Sequence, residues 1–352
     1  MEKRFMKGNE AIAEAAVMAG CRYFYGYPIT PQNEIPEYFS WRLPEVGGIF
    51  IQAESEIGAI NMCYGTSGSG ARVMTSSSGP GLSLKAEGIS YMAGANLPVV
   101  IVNIMRAGPG LGSIQPSQSD YLQATKGGGH GDYNCLVYAP TGVQSAVDLV
   151  QLAFDKADEY RMPAIILGDG VIGQMMEPVV IQEKKPIKVD KSWATVGWKD
   201  KNRPRAVINS LSLVPSELEE WNLNLQAKYK KIKESEVLYE TYNMEDSDIL
   251  VVAYGSTSRT IRSAIDENEL KGHKIGLFTP ISLWPYPEKE LKEATKGKKC
   301  VLVVEMSAGQ MLQDVKLAVG DTAPVHFYGR MGGIIPTAEE IFAQILKLGE
   351  VL

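Results

Sequence analysis

The sequence predicts an α/β protein whose mainly parallel sheets are covered by helices, arranged in two successive parts. Three observations carry this expectation. Strand-like and helix-like stretches alternate from about residue 8 to 182, and again from residue 247 onward. Two of the strand-like runs, "LPVVIVNIM" and "PAIILGD", are apolar almost throughout, the pattern of strands buried on both faces. Between residues 183 and 244 the rhythm gives way to a charged, proline-containing stretch. The expected organisation is therefore residues 1–182, a connector over 183–244, and a second α/β part over 245–352.

The elements follow in order. "NEAIAEAAVMAG" reads as a helix with Asn9 as cap, alanines inside and Gly20 as stop. "CRYFYGY" is a short strand; "GGIFIQA" is the next, followed by the helix "SEIGAINMCYGTS". "ARVMTS" is a strand and "GLSLKAEGISYMAG" a helix, leading into the buried run "LPVVIVNIM". "SAVDLVQLAFDKADEY" is an amphipathic helix before "PAIILGD". In the connector, Ser216 and Glu219 have capping-box spacing, and Leu218, Trp221, Leu225, Tyr229 and Ile232 form one apolar stripe. Lys228, Lys230, Lys231 and Lys233 fall on the other face and read as solvated. "DILVVAYG", "KIGLF", "CVLVVEM" and "PVHFYG" are then four strands separated by helices.

Composition narrows the function. A chain of 352 residues with 45% hydrophobic and 22% charged residues has an ordinary globular balance. Its net charge of −6 argues against broad nucleic-acid binding, which needs clustered basic surface. Cys21, Cys63, Cys135 and Cys300 are scattered, without the spacing of a metal or iron–sulfur cassette, and suit a reducing cytosol. The N-terminus has no apolar signal core, and no run of about 20 apolar residues follows. A cytoplasmic protein without a membrane span is expected.

The glycine-rich motifs mostly fail inspection. "GPGLGS" and "GPGLSL" have serine or leucine where G-x-G-x-x-G needs its third glycine, and neither ends as a P-loop does. Gly168-Asp169-Gly170 could open a thiamine-diphosphate and magnesium site, but the asparagine pair such a site needs downstream is missing. Asp169 reads instead as the end of a strand and the start of a turn. "YPITP" is more informative. Thr30 as N-cap and Pro31 at the first helical position would start a helix at a strand's carboxyl end, where α/β sheets bind ligands. Capping alone would also explain Thr30. Glu54 and Glu56 take the corresponding place in the next unit, where the helix dipole suffices to account for either. Arg106 closes the buried run and suits a carboxylate or phosphate. His130, in "GGGHGDY", reads as a loop residue.

The order of "YPITP", "ESEIGAI", "TSSSGPGLSL", "LPVVIVNIMRAGPGLG" and "GGGHGDY" resembles the alpha-type subunit of the 2-oxoacid:ferredoxin oxidoreductases. The resemblance continues through "LEEWNLNLQAKYKKI", "VVAYGSTSR", "GLFTPISLWPYPEKEL" and "VVEMSAGQM", so it covers nearly the whole chain. "GGGHGDY" is most similar to the 2-oxoisovalerate (3-methyl-2-oxobutanoate) branch. The resemblance implies a thiamine-diphosphate pyrimidine-binding domain, a connector and a transketolase C-terminal-like α/β domain. It implies oxidative decarboxylation of a 2-oxoacid to its acyl-CoA, with electrons passed to ferredoxin. Glu56 matches the glutamate that hydrogen-bonds the aminopyrimidine of thiamine diphosphate and favours its imino form. Thr30 matches a substrate-contacting threonine, and Arg106 the arginine near the substrate carboxylate. Magnesium and the cofactor diphosphate would lie on a partner thiamine-binding subunit, and iron–sulfur clusters on a ferredoxin-like subunit beside a gamma-type subunit. Pyruvate, 2-oxoglutarate or an aryl 2-oxoacid on the same machinery stays open, as does a non-catalytic assembly role.

Overall fold

A computed structural model describes residues 3–197, 204–269 and 274–351. Part of the expected connector, 198–203, lies outside the described residues. The chain opens with β1 (Arg4–Lys7) and α1 (Gly8–Met18). Three strand–helix units follow: β2 (Tyr23–Gly26) with α2 (Glu34–Glu45), β3 (Ile49–Gln52) with α3 (Glu56–Gly68), and β4 (Val73–Ser77) with α4 (Gly79–Gly94). Next come β5 (Val99–Met105), α5 (Tyr121–Thr125), β6 (Leu136–Tyr138), α6 (Val143–Tyr160), β7 (Pro163–Asp169), α7 (Gly170–Gln174) and β8 (Met176–Val179). The connector carries α8 (Pro215–Ser235) and β9 (Tyr239–Tyr242). The chain ends with β10 (Ile249–Val252), α9 (Gly255–Glu269), β11 (Ile275–Pro280), β12 (Ser282–Trp284), α10 (Glu288–Ala294), β13 (Cys300–Glu305), α11 (Met311–Val319), β14 (Val325–Gly329) and α12 (Ala338–Val351).

The fold is α/β, with two large sheets and a small β1–β8 ribbon. The seven-stranded sheet runs β12-β6-β7-β5-β4-β2-β3, parallel except for β12, which pairs antiparallel with β6. The five-stranded sheet runs β14-β13-β10-β11-β9, parallel except for β9. Every residue of β5 and β7 is buried, as their unbroken apolar runs require. One strand crosses between the parts: β12, far along the sequence, closes the first sheet, while β9 of the connector edges the second.

Several local expectations change. Asn9 does not cap α1: Lys7 takes that place, and the buried Asn9 amide donates to Pro31 O (2.8 Å) and Glu34 Oε2 (2.7 Å). Thr30 and Pro31 do not begin a helix. Their peptide bond is cis, and α2 starts only at Glu34, after Asn33. The Pro31 carbonyl is already held by Asn9 and by Gln174 Nε2 (3.0 Å), so it serves the tertiary structure and not a first helical turn. In α8 Pro215 is the first helical residue, leaving Ser216 inside the turn and not at the cap. Leu225, Tyr229 and Ile232 of its stripe are buried, but Leu218 and Trp221 are 39% and 42% exposed. Lys228 is not on a solvated face. It donates to Asn96 Oδ1 (2.6 Å), and burial pushes its ammonium down to about 8.

Candidate active site

In the seven-stranded sheet, β2 is flanked by β3 on one side and β4 on the other, so the chain reverses direction across the sheet here. The β2–β3 ladder continues to Gly26–Gln52, whereas β2–β4 pairing stops at Phe24–Met74. Beyond Met74 the strands part, and side chains replace the ladder. Thr75 Oγ1 donates to Tyr25 O (2.6 Å), and Ser76 Oγ donates to the buried Gln32 Oε1. This parting, at the carboxyl end of the parallel strands, is where the candidate residues gather.

Glu56 is the first residue of α3, behind the Ser55 cap, whose Oγ accepts from Gly58 N (3.1 Å). Its side chain is buried and leans on the first turn of α4: a Cβ at Gly81 would lie 2.5 Å from Glu56 Oε1 and 2.0 Å from Ser77 Oγ. Only glycine fits there. No described residue donates a hydrogen bond to the Glu56 carboxylate. Glu54, equivalent in sequence, is exposed, precedes α3 and leans against Gly58 of that helix. The structure thus separates two glutamates that the sequence left level.

Thr30 and Arg106 come together. Arg106 Nη1 donates to Thr30 O (3.1 Å) and Nη2 to Leu111 O (3.1 Å), while Nε is buried without a partner. Thr30 Oγ1 accepts from Asn33 Nδ2 (3.4 Å). A cleft of about 610 Å³ opens beside Thr30, lined also by Glu34, Gln115, Pro116, Val171 and Gln174 but by neither Arg106 nor Glu56. Asp120 sits behind Arg106, accepting from Asn103 Nδ2 (3.0 Å); burial pushes its carboxyl up, and Asn103, the Gly79 N–H and Arg106 oppose the shift. His130 stays at the loop surface, its carbonyl accepting from Ser90 Oγ (2.7 Å) and its ring edge-on to Tyr91.

Asp169 ends β7 and caps α7. Oδ1 accepts from Val171 N and Ile172 N (3.1 Å each), and Oδ2 from Ser256 N (2.9 Å). Its oxygens therefore join backbone to backbone, and the donor set does not fit a metal ion. Among the described residues no group of three or more His, Cys, Asp or Glu could hold one.

Residues 14–243 match the family described as pyruvate flavodoxin/ferredoxin oxidoreductase, thiamine diphosphate-binding, and 247–341 match pyruvate:ferredoxin oxidoreductase core domain II. The chain belongs to the 2-oxoacid:ferredoxin oxidoreductase family. It is 48% identical to ketoisovalerate oxidoreductase subunit VorB of Methanothermobacter marburgensis, over 99% of this chain and 98% of that one. To 2-oxoglutarate synthase subunit KorA of the same organism it is 34% identical, over 99% of each. The solved 2-oxoglutarate:ferredoxin oxidoreductase of Magnetococcus marinus superposes with a TM-score of 0.88 at 25% identity, over 98% of this chain. This chain spans 65% of that longer one. A split-gene transketolase, at a TM-score of 0.60 and 15% identity, shares the fold.

The family's thiamine-binding character can be tested on the side chains. Ser77 Oγ, Ser78 Oγ, Asn103 Oδ1 and Arg106 Nε are buried without protein partners around the ends of β4 and β5, beside the undonated Glu56 carboxylate. Such groups need a partner, and the Gly81 cradle leaves Glu56 accessible to one. The residues fit a polar heterocycle at this edge. Sequence reasoning passed over Ser77, Ser78, Asn103 and Asp120. Signals existed: three serines end a strand in "TSSS", and Asn103 interrupts the otherwise apolar "VVIVNIM".

Proposed function

We propose that this chain is the pyrimidine-binding subunit of an enzyme that oxidatively decarboxylates a branched-chain 2-oxoacid, 3-methyl-2-oxobutanoate, to its acyl-CoA and passes electrons to ferredoxin. The observation that carries the chemistry is the buried Glu56 carboxylate, without a donor, at the parting of β2 and β4. The substrate branch is supported by the 48% identity to a subunit named for ketoisovalerate, against 34% to one named for 2-oxoglutarate.

Thiamine diphosphate, when bound, would supply the nucleophilic carbon and electron sink that no side chain here provides. Glu56, at the N-terminus of α3, would hold the pyrimidine by accepting a ring N–H. Arg106 would face the substrate carboxylate with the N–H groups that Thr30 and Leu111 leave unspent. The Thr30 hydroxyl, on the cleft wall, would orient the same substrate. Magnesium and the diphosphate would be held by a partner subunit, a reading supported by the commitment of Asp169 to backbone N–H groups. Iron–sulfur clusters would belong to another partner. Here the four cysteines are buried, and burial pushes the Cys21, Cys63 and Cys135 thiols up to about 12. Turnover of the co-purified complex against a panel of 2-oxoacids tests the reading. The highest kcat/KM is expected for 3-methyl-2-oxobutanoate; a preference for pyruvate or 2-oxoglutarate would reject the branch.

A further inference from the structure

The turn before α2 is anchored at three successive residues, Thr30, Pro31 and Gln32, by groups from four distant places in the chain. Arg106 Nη1 donates to Thr30 O (3.1 Å). Asn9 Nδ2 (2.8 Å) and Gln174 Nε2 (3.0 Å) both donate to Pro31 O. Gln32 Oε1 accepts from Ser76 Oγ on β4. The same two amides meet again on Glu34 Oε2, Asn9 at 2.7 Å and Gln174 at 3.0 Å, while Lys7 Nζ donates to Oε1 (3.1 Å). Asn9 of α1 and Gln174 at the end of α7 thus form a clamp that ties the turn to two helices.

The clamp is not explained by stability alone. Asn9 is fully buried and its Oδ1 has no partner, a destabilising arrangement that an apolar residue would avoid. Gln174 is exposed, where side chains contribute little to the fold. What the clamp leaves free is the Thr30 hydroxyl. Thr30 Oγ1 accepts one long hydrogen bond, from Asn33 Nδ2 (3.4 Å), and among the described residues none accepts its O–H. Thr30 shares the wall of the cleft with Glu34 and Gln174. Holding the Thr30 and Pro31 carbonyls fixes the planes of the peptides that follow Thr30, and with them the direction of its side chain.

We propose that Gln174, together with Asn9, is a positioning residue that aims the Thr30 hydroxyl at the 2-oxoacid by holding the Pro31 carbonyl beside Glu34. This rests on the assignment of Thr30 given above. An orienting group displaced by a fraction of an ångström costs rate even when every binding group remains.

Steady-state turnover of the 2-oxoacid best used by the complex, isolated with its natural partner subunits, tests this. Gln174→Leu removes both hydrogen bonds from an exposed position; kcat/KM should fall about tenfold, with the thermal midpoint nearly unchanged. Gln174→Lys keeps donors for Pro31 O and Glu34 and should recover most of that loss. Gln174→Glu sets a second carboxylate beside Glu34 and should lose at least as much as Gln174→Leu. In a Thr30→Val background, which lacks the hydroxyl, Gln174→Leu should add nothing, whereas a packing defect or a direct substrate contact would add its own loss. Full kcat/KM in Gln174→Leu overturns the inference. So does a loss that persists undiminished in the Thr30→Val background, or a Gln174→Lys enzyme no better than Gln174→Leu. If Thr30→Val itself turns over normally, the assignment of Thr30 fails first, a separate result that needs no change at position 174.

Discussion

The parting of β2 and β4 and the junction between the two large sheets are both buried and polar, yet they are finished differently. At the junction, Gln118 Nε2 donates to Tyr254 O (2.8 Å) and Oε1 accepts from Thr257 Oγ1 (3.1 Å) and Met306 N (2.9 Å). Its backbone N donates to Met306 O and its carbonyl accepts from Tyr254 OH. Tyr121 OH donates to Asp314 (2.6 Å), which also pairs with Lys126 (2.5 Å). Glu305 accepts from Met311 N, Leu312 N and Ser307 Oγ. The junction leaves Ser256 Oγ and Tyr286 OH over, whereas at the strand parting Ser77, Ser78, Asn103 and Arg106 all keep unpartnered atoms around one edge. A polar network mostly closed on itself is a joint; one with a cluster of open groups is completed by something the chain receives.

The strongest test of that contrast is Glu56→Gln, which should lower turnover of the assembled enzyme by about 10²–10⁴-fold while leaving its thermal midpoint nearly unchanged. A large stability loss instead would make Glu56 part of a joint. Gln118→Ala should do the reverse, costing about 3 kcal/mol in urea unfolding because several buried partners lose their bonds together. Away from both regions, Arg72 donates to Asp155 (2.7 Å) and Asp158 (2.8 Å), and Lys184 and Lys191 tie the connector to the same acids. Burial acts to raise the Asp155 carboxyl, but the Arg72 and Lys184 hydrogen bonds hold it below its ordinary value of 3.8. A depressed carboxyl stabilises the fold above the unfolded value and loses that contribution as pH falls below 3.8 toward the folded one. Acid unfolding of Arg72→Met, followed by circular dichroism, should accordingly show a weaker dependence in this window. The smallest effect belongs to Glu54→Gln. Its exposed carboxylate lies against the α3 cap, near Ser55 and Gly58, so kcat/KM should stay within about twofold of the unaltered enzyme, as for most surface changes.

What the sequence disclosed follows the range of the forces involved. β5 and β7 were legible because burial on both faces writes an apolar run. Glu56 was legible as a helix-start acid because Ser55, beside it, makes the cap. Thr30 was misread because its cap chemistry is local, while Asn9 and Gln174, distant in sequence, claim the Pro31 carbonyl. Gln174 gave no signal: an amide at a short helix's end reads as solvated until the distant Pro31 carbonyl and Glu34 carboxylate are seen to share its N–H groups. The place of β12 was out of reach, since three residues show no preference for a sheet whose other strands end by residue 169.

That last strand bears on how the protein is made. While the ribosome is translating residues 170–281, β6 stands as an open edge, its outer N–H and C=O groups waiting for Ser282–Trp284. Unpaired edges invite pairing with other nascent chains. The first sheet is therefore completed by one of the later pieces to be synthesised, so a transcript truncated before residue 282 would yield a thiamine-type sheet with one side unsealed.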